Sequence, residues 1–182
     1  MKTKSRKTVL VLRTCSKDMT SQNGFKWPKK GKVEAPDWDG GKMVCGGGLH
    51  GLEMGEQSGR YLDWSPDAVW LVVKVTVADG YATGGGDLMD KCKFRRGVVV
   101  YCGEKDGAVA YLLANGANVE KLVGASQIGG GSSKVTGGDY STLAVWWWDG
   151  KRRRLIVAYV GEDGIKADTW YKVEGGKFVE VK

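Results

Sequence analysis

The chain's only histidine, His50, lies in the segment Cys45-Gly-Gly-Gly-Leu-His-Gly51. An imidazole can take or deliver a proton near neutral pH, and a thiol five residues away could act as a nucleophile if the imidazole reached it. The glycines between them would let backbone approach a ligand closely. A surface or hydrogen-bonded histidine with no chemical task is the plain alternative. One histidine cannot build a three-ligand metal centre, and no Cys, Asp or Glu cluster around it has metal spacing. Neither a metal nor a cofactor is therefore expected. The glycine runs Gly46–Gly48, Gly84–Gly86 and Gly129–Gly131 do not fit the G-x-x-x-x-G-K-[ST] phosphate loop. A looser role, lining an anion site with backbone N–H groups, stays open.

A second constellation sets Trp146-Trp-Trp148 beside Lys151-Arg-Arg-Arg154. Asp149-Gly150 between two apolar runs predicts a hairpin with a two-residue loop. In that register Trp148 faces Lys151, Trp147 faces Arg152 and Trp146 faces Arg153. Guanidinium groups over indoles make cation–π pairs, and the same residue types stack bases and hold phosphates. Two other readings compete: a core face backed by a soluble basic edge strand, or a subunit contact.

The elements that must position these residues are mostly strands. Twenty-nine glycines against three prolines, clustered between β-branched runs, indicate many tight turns and a β-rich fold. Strands are expected over Thr8–Arg13, Ala68–Val77 and Gly97–Tyr101, the second apolar enough to be covered on both faces. Helices are expected over Glu53–Leu62 and Gly107–Asn115. A second hairpin is read from Thr169–Val173, a Glu174-Gly-Gly-Lys177 turn and Phe178–Val181. Between the halves, Gln127–Lys134 aligns on Val135–Thr142 with a period of eight. Such Gly/Ser/Thr/Asp repeats mark β-solenoid turns, which bury their apolar residues only by stacking on a neighbour. That neighbour would be the hairpins or the same units in other subunits; a flexible Gly/Ser linker is the alternative. The expected organisation is an α+β domain over 1–124, a solenoid-like repeat over 125–142, and hairpins over 143–182 packed on the same core.

Lys and Arg outnumber Asp and Glu by 28 to 21, a net charge of +7, which points to an anionic partner. The basic residues Lys2, Lys4, Arg6, Lys7, Lys26, Lys29, Lys30 and Lys32 are dispersed and fit a general positive field. No helix-turn-helix, zinc-finger or RNA-recognition pattern is present. No apolar run approaches the ~20 residues that span a bilayer, and no signal peptide is read at the start. Cys15, Cys45, Cys92 and Cys102 form no C-x-x-C pair and are expected as free thiols in a reducing cytoplasm.

The carboxyl end, from Gly161 through Asp168-Thr-Trp-Tyr171 to Val181, resembles that of a phage and prophage protein family. Gly48-Leu-His-Gly51, Tyr61, the Val69–Val77 strand and the repeats at 126–142 are its other counterparts. A fainter resemblance, over Gly47–Tyr61 and Trp70–Val77, is to the ADP-ribosyltransferase core, where a Gly-rich strand precedes a helix and an apolar strand. Glu104 is the loose counterpart of that family's catalytic acid. The fold implied is α+β and β-rich: a small ADP-ribosyltransferase-like mixed sheet, a short repeat segment and two carboxyl-terminal hairpins.

Together these readings imply a phage accessory, anti-defence protein of the host cytoplasm. It would sequester a small anionic, nucleotide-derived ligand without catalysis. His50, Tyr61, Trp146, Trp148, Arg152 and Arg153 are the expected ligand contacts. The alternatives are an enzyme of the ADP-ribosyltransferase kind using NAD, a protein inhibitor docked on a host defence enzyme, and direct nucleic-acid binding. A homo-oligomer and no membrane partner are expected.

Overall fold

The computed structural model describes residues 7–21 and 23–181. Lys2, Lys4 and Arg6 of the basic amino-terminal cluster lie outside these. The chain forms two compact units, Met1–Ala117 and Asn118–Lys182.

The first unit is built on strands β1 (Thr8–Cys15), β2 (Gly31–Glu34), β3 (Leu49–Glu53), β4 (Val69–Thr76), β5 (Tyr81–Thr83), β6 (Cys92–Phe94) and β7 (Arg96–Gly103), followed by helix α1 (Lys105–Ala114). They make one seven-stranded sheet in the order β2-β7-β4-β1-β3-β6-β5. Every pairing in it is antiparallel. β1 and β4 sit at its centre because their side chains are almost all apolar, and a central strand has two faces to cover. Along β4, Leu71, Val73 and Val75 join Val9, Val11, Phe94 and Val99 in one core cluster. Trp70 and Val72 alternate to the other side and are equally buried. α1 packs on β4 and β7 through Ala108, Val109 and Leu112.

The expected helix at Glu53–Leu62 does not form. Glu53 ends β3, Met54 and Gly55 both take positive φ, and only a three-residue 3-10 turn, Gly59–Tyr61, follows. Successive left-handed residues reverse the chain and cannot start a right-handed helix. The ADP-ribosyltransferase likeness loses the helix it called for, and its sheet is antiparallel where a mixed one was expected.

The second unit contains β8 (Ser126–Gly129), β9 (Thr142–Trp148), β10 (Arg153–Tyr159), β11 (Tyr171–Glu174) and β12 (Lys177–Glu180). β8 pairs with β9 in parallel, Ser126 with Thr142 through Gly129 with Val145, a constant offset of sixteen residues. The offset is twice the eight-residue period of the repeat segment. Each half has the same interior. A Cβ on Gly129 would meet Ser133 and Val135, and a Cβ on Gly137 would meet Ser141 and Leu143. The amides of Ser133 and Ser141 close the same turn, onto the carbonyls of Gly130 and Gly138. The repeat segment packs on the hairpins: Val135 exchanges backbone hydrogen bonds with Tyr171 at 2.8 and 2.9 Å, and Val135, Leu143, Val145, Val160 and Tyr171 form one buried cluster. The β-rich α+β architecture and both carboxyl-terminal hairpins agree with the sequence reading.

The first hairpin is offset from its expected register. Trp148 pairs with Arg153, Trp147 with Arg154 and Trp146 with Leu155. Asp149 causes the shift: its carboxylate accepts the amides of Lys151 and Arg152, both at 2.8 Å. The loop therefore closes over four residues. The second hairpin turns as expected, with Glu174 opposite Lys177 and both Gly175 and Gly176 at positive φ.

Candidate functional site: a cationic cavity in the first unit

β1 reads Thr-Val-Leu-Val-Leu-Arg-Thr-Cys, and its single charge, Arg13, shares the face of Val9, Val11 and Cys15 at the margin of their apolar cluster. Its guanidinium carbon lies 3.9 Å from the centre of the Trp27 ring. Nε and Nη2 donate to the carbonyl of Thr14 and Nη1 donates to that of His50, at 3.1–3.3 Å. Among the described residues no carboxylate forms an ion pair with it. Burial lowers its pKa to about 10, which still leaves it charged at neutral pH.

His50 comes from β3, paired with Lys93 of β6. Its Nε2 is buried with no hydrogen-bond partner among the described residues. Burial first, then the charges of Lys91, Lys93 and Arg13, pushes the imidazole down to about 4. It is neutral at physiological pH, so one ring nitrogen donates and the other accepts.

Lys91 and Lys93 stand on either side of Cys92. Lys93 is fully buried. Its ammonium donates to both Asp39 carboxylate oxygens at 2.9 and 3.1 Å, and to the carbonyls of Val44 and Gly46 at 3.0 and 3.1 Å. It thereby holds the 39–48 loop, in which Gly46, Gly47 and Gly48 all take positive φ. Lys91 donates to the Cys45 thiol at 2.9 Å and sits 4.6 Å above the Tyr61 ring. Arg60 lies 4.8 Å from the same ring, donates to the Tyr61 hydroxyl at 2.7 Å and pairs with Asp90.

These residues surround a cavity of about 980 Å³ lined by Arg13, Cys45, His50, Arg60, Tyr61 and Lys91 among others, with Asp37 and Asp63 also on its wall. Two amides of the glycine loop are already taken by carboxylates. The Cys45 and Gly48 N–H groups already donate to Asp87 and Asp37 at 3.1 Å. A Cys45/His50 nucleophile pair is not what forms, since the thiol's partner is Lys91. Among the described residues no group of three or more His, Cys, Asp or Glu could hold a metal ion.

Of the six expected contacts, His50 and Tyr61 share this cavity, and the other four line no part of it. Trp146 and Trp148 are exposed on β9, and Arg153 pairs with Trp148. Arg152 lies in the loop. Trp147 turns to the other side, against the Gly176 turn. Asp149 forms its ion pair with Arg154, not with Arg152 or Arg153. The cation–ring contacts form in the first unit instead. Sequence reasoning missed Arg13, Arg60, Lys91 and Lys93. The available signal was a lone charge in an apolar strand, as in Leu12-Arg13-Thr14.

Comparison with known proteins changes the functional reading. The chain is 37% identical to an ice nucleation protein of Pseudomonas fluorescens over 107 residues, 59% of this chain and 8% of that protein. It is 35% identical to an ice nucleation protein of Enterobacter agglomerans over 130 residues, 70% of this chain and 10% of that protein. A third, from Xanthomonas campestris pv. translucens, is 33% identical over 107 residues, 59% of this chain and 7% of that protein. The chain thus spans a tenth or less of the length of these relatives. No solved structure matches it. The relatives overturn the phage anti-defence reading: nucleotide sequestration falls with it, as do its NAD-enzyme and host-inhibitor alternatives. The host-cytoplasmic location rested on that reading and is withdrawn too. Among the described residues no helix is long and apolar enough to cross a membrane. The model of a domain of unknown function, DUF7666, matches residues 9–109, more than half of the sequence, and the chain belongs to that family.

Proposed function

We propose that residues 118–182 are the closing coil and end cap of a β-solenoid of the ice nucleation type. In this reading the chain's contribution is to terminate a stack of sixteen-residue coils and keep it soluble. The observation that carries the reading is the parallel pairing of β8 with β9 at a sixteen-residue offset. It is supported by the octad interior repeated at Gly129-Ser133-Val135 and Gly137-Ser141-Leu143, and by the name shared by the relatives. The stack needs an end because an open sheet edge pairs with other chains. Two hairpins provide one, with a single coil's core closed beneath them. Ordering water into ice requires an extended surface, and one coil adds only about 4.8 Å of stack. The chain as it stands is therefore expected to freeze droplets no sooner than buffer does.

The test is to insert extra copies of 122–137 after Lys121, a junction that preserves the offset of sixteen. The lengthened chains are expected to stay monodisperse, to gain β-sheet circular dichroism with each coil, and to raise the droplet freezing temperature as coils are added. Unfolding on the first insertion would overturn the solenoid reading. A freezing temperature that stays flat across folded, lengthened chains would overturn the ice-related one.

A further inference from the structure

We infer that the first unit's cavity is a binding site for a small monocarboxylate, its oxyanion held by Arg13 and His50. This inference does not depend on the solenoid reading, because every residue it uses lies in the first unit. The guanidinium of Arg13 is half-buried and meets only two neutral carbonyls and an indole face. A charge so placed lacks its counter-charge. Three of its five N–H groups are used, all on backbone carbonyls. The two left match the two oxygens that a carboxylate presents to an arginine fork. On the neighbouring strand β3, the buried Nε2 of His50 also has no partner among the described residues, and a buried polar atom in that state calls for one. Both residues line the same cavity.

The walls restrict the ligand further. Asp37 and Asp63 line the cavity, so a polyanion would meet more repulsion there than a single charge does. The amides of Cys45 and Gly48, which a phosphate would use, are occupied. Phe25, Leu52 and Tyr61 on the wall offer apolar surface to the rest of the molecule. A carboxylate carried on an aromatic or aliphatic body satisfies all these constraints.

The experiment titrates the untagged full-length chain with benzoate, using benzamide as the uncharged isostere and inorganic phosphate as the competing anion. It follows the ring resonances of the single histidine by NMR and the heat of binding by calorimetry. Benzoate is expected to shift the His50 resonances saturably at one site per chain, with benzamide and phosphate at least about tenfold weaker. Arg13→Met, whose stem still packs on Trp27, is expected to lose about tenfold or more in benzoate affinity while keeping its melting temperature. His50→Leu is the second variant should the first fail to fold, and the same loss is expected by calorimetry. The inference is overturned if benzamide or phosphate binds as well as benzoate, or if benzoate binds the folded variants unchanged. Absence of saturable binding by benzoate also overturns it.

Discussion

Two glycine-rich stretches that look alike in composition use glycine for opposite reasons. In the 39–48 loop, Gly46, Gly47 and Gly48 all adopt positive φ, which side-chain-bearing residues avoid. A Cβ on Gly46 would meet nothing within 4 Å. At Gly46 the need is backbone freedom alone, and at Gly47 a crowded Asp39 side chain adds to it. In the coil, none of Gly129, Gly130, Gly131, Gly137 and Gly138 has positive φ, and any residue could take their conformation. What Gly129, Gly137 and Gly138 lack is space: a Cβ on Gly138 would lie 2.2 Å from the Lys121 carbonyl oxygen. The first stretch is a bent loop held by an ammonium group. The second is a close-packed segment held by its pairing with β9 and with Tyr171. Glycine content alone does not separate a ligand-lining loop from a structural repeat; the reason for each glycine does.

The comparison can be broken most decisively in the coil. Gly138→Ala places a methyl group on a backbone atom that cannot move without its coil, so a loss of about 3 kcal/mol or more is expected. Hydrogen exchange of the amides in 122–145 reads it directly, and native-like protection in the variant would refute the space argument. Next comes the anchor of the loop. Lys93→Met fills the same volume but leaves Asp39 and two carbonyls without their donor. Since Asp39 is 21% exposed and water can reach it, the expected cost is about 2 kcal/mol. The signature is faster proteolysis within 39–48, with the second unit's exchange unchanged. The smallest effect belongs to Gly46→Ala, where only the left-handed backbone opposes the methyl group; about 1 kcal/mol is expected in a denaturant titration. A Gly46→Ala penalty equal to that of Gly138→Ala would erase the distinction.

How much of this was legible in the sequence follows the same division between local and non-local causes. β1, β4 and β7 could be read from their β-branched runs because strand propensity and burial act residue by residue. Asp149-Gly150 located the hairpin, but its register depends on which amides the Asp149 carboxylate accepts, and that moved every tryptophan–arginine pair by two residues. The period of eight was visible, whereas the offset of sixteen was not, since it appears only in the parallel pairing of β8 with β9. Glu53–Leu62 misled because helix formers occupy the segment while Met54 and Gly55 reverse the chain. In the site, His50 and Tyr61 stood out as rare or aromatic residues near glycines. Arg13 and Lys93 did not, because they sit inside strands, and burial of a charge is a property of the fold.

The offset of sixteen has a genetic consequence. In the solenoid proposed above, Ser126 and Thr142 occupy equivalent positions on successive levels, so a replication slip that duplicates one coil's worth of codons adds a level and leaves the others in register. A duplication of eight residues would put each added half on the wrong side of the turn. Natural variants of this gene that differ in length within the 122–145 region are therefore expected to differ by whole multiples of sixteen codons, and the copies nearest the junction to be the most alike in nucleotide sequence.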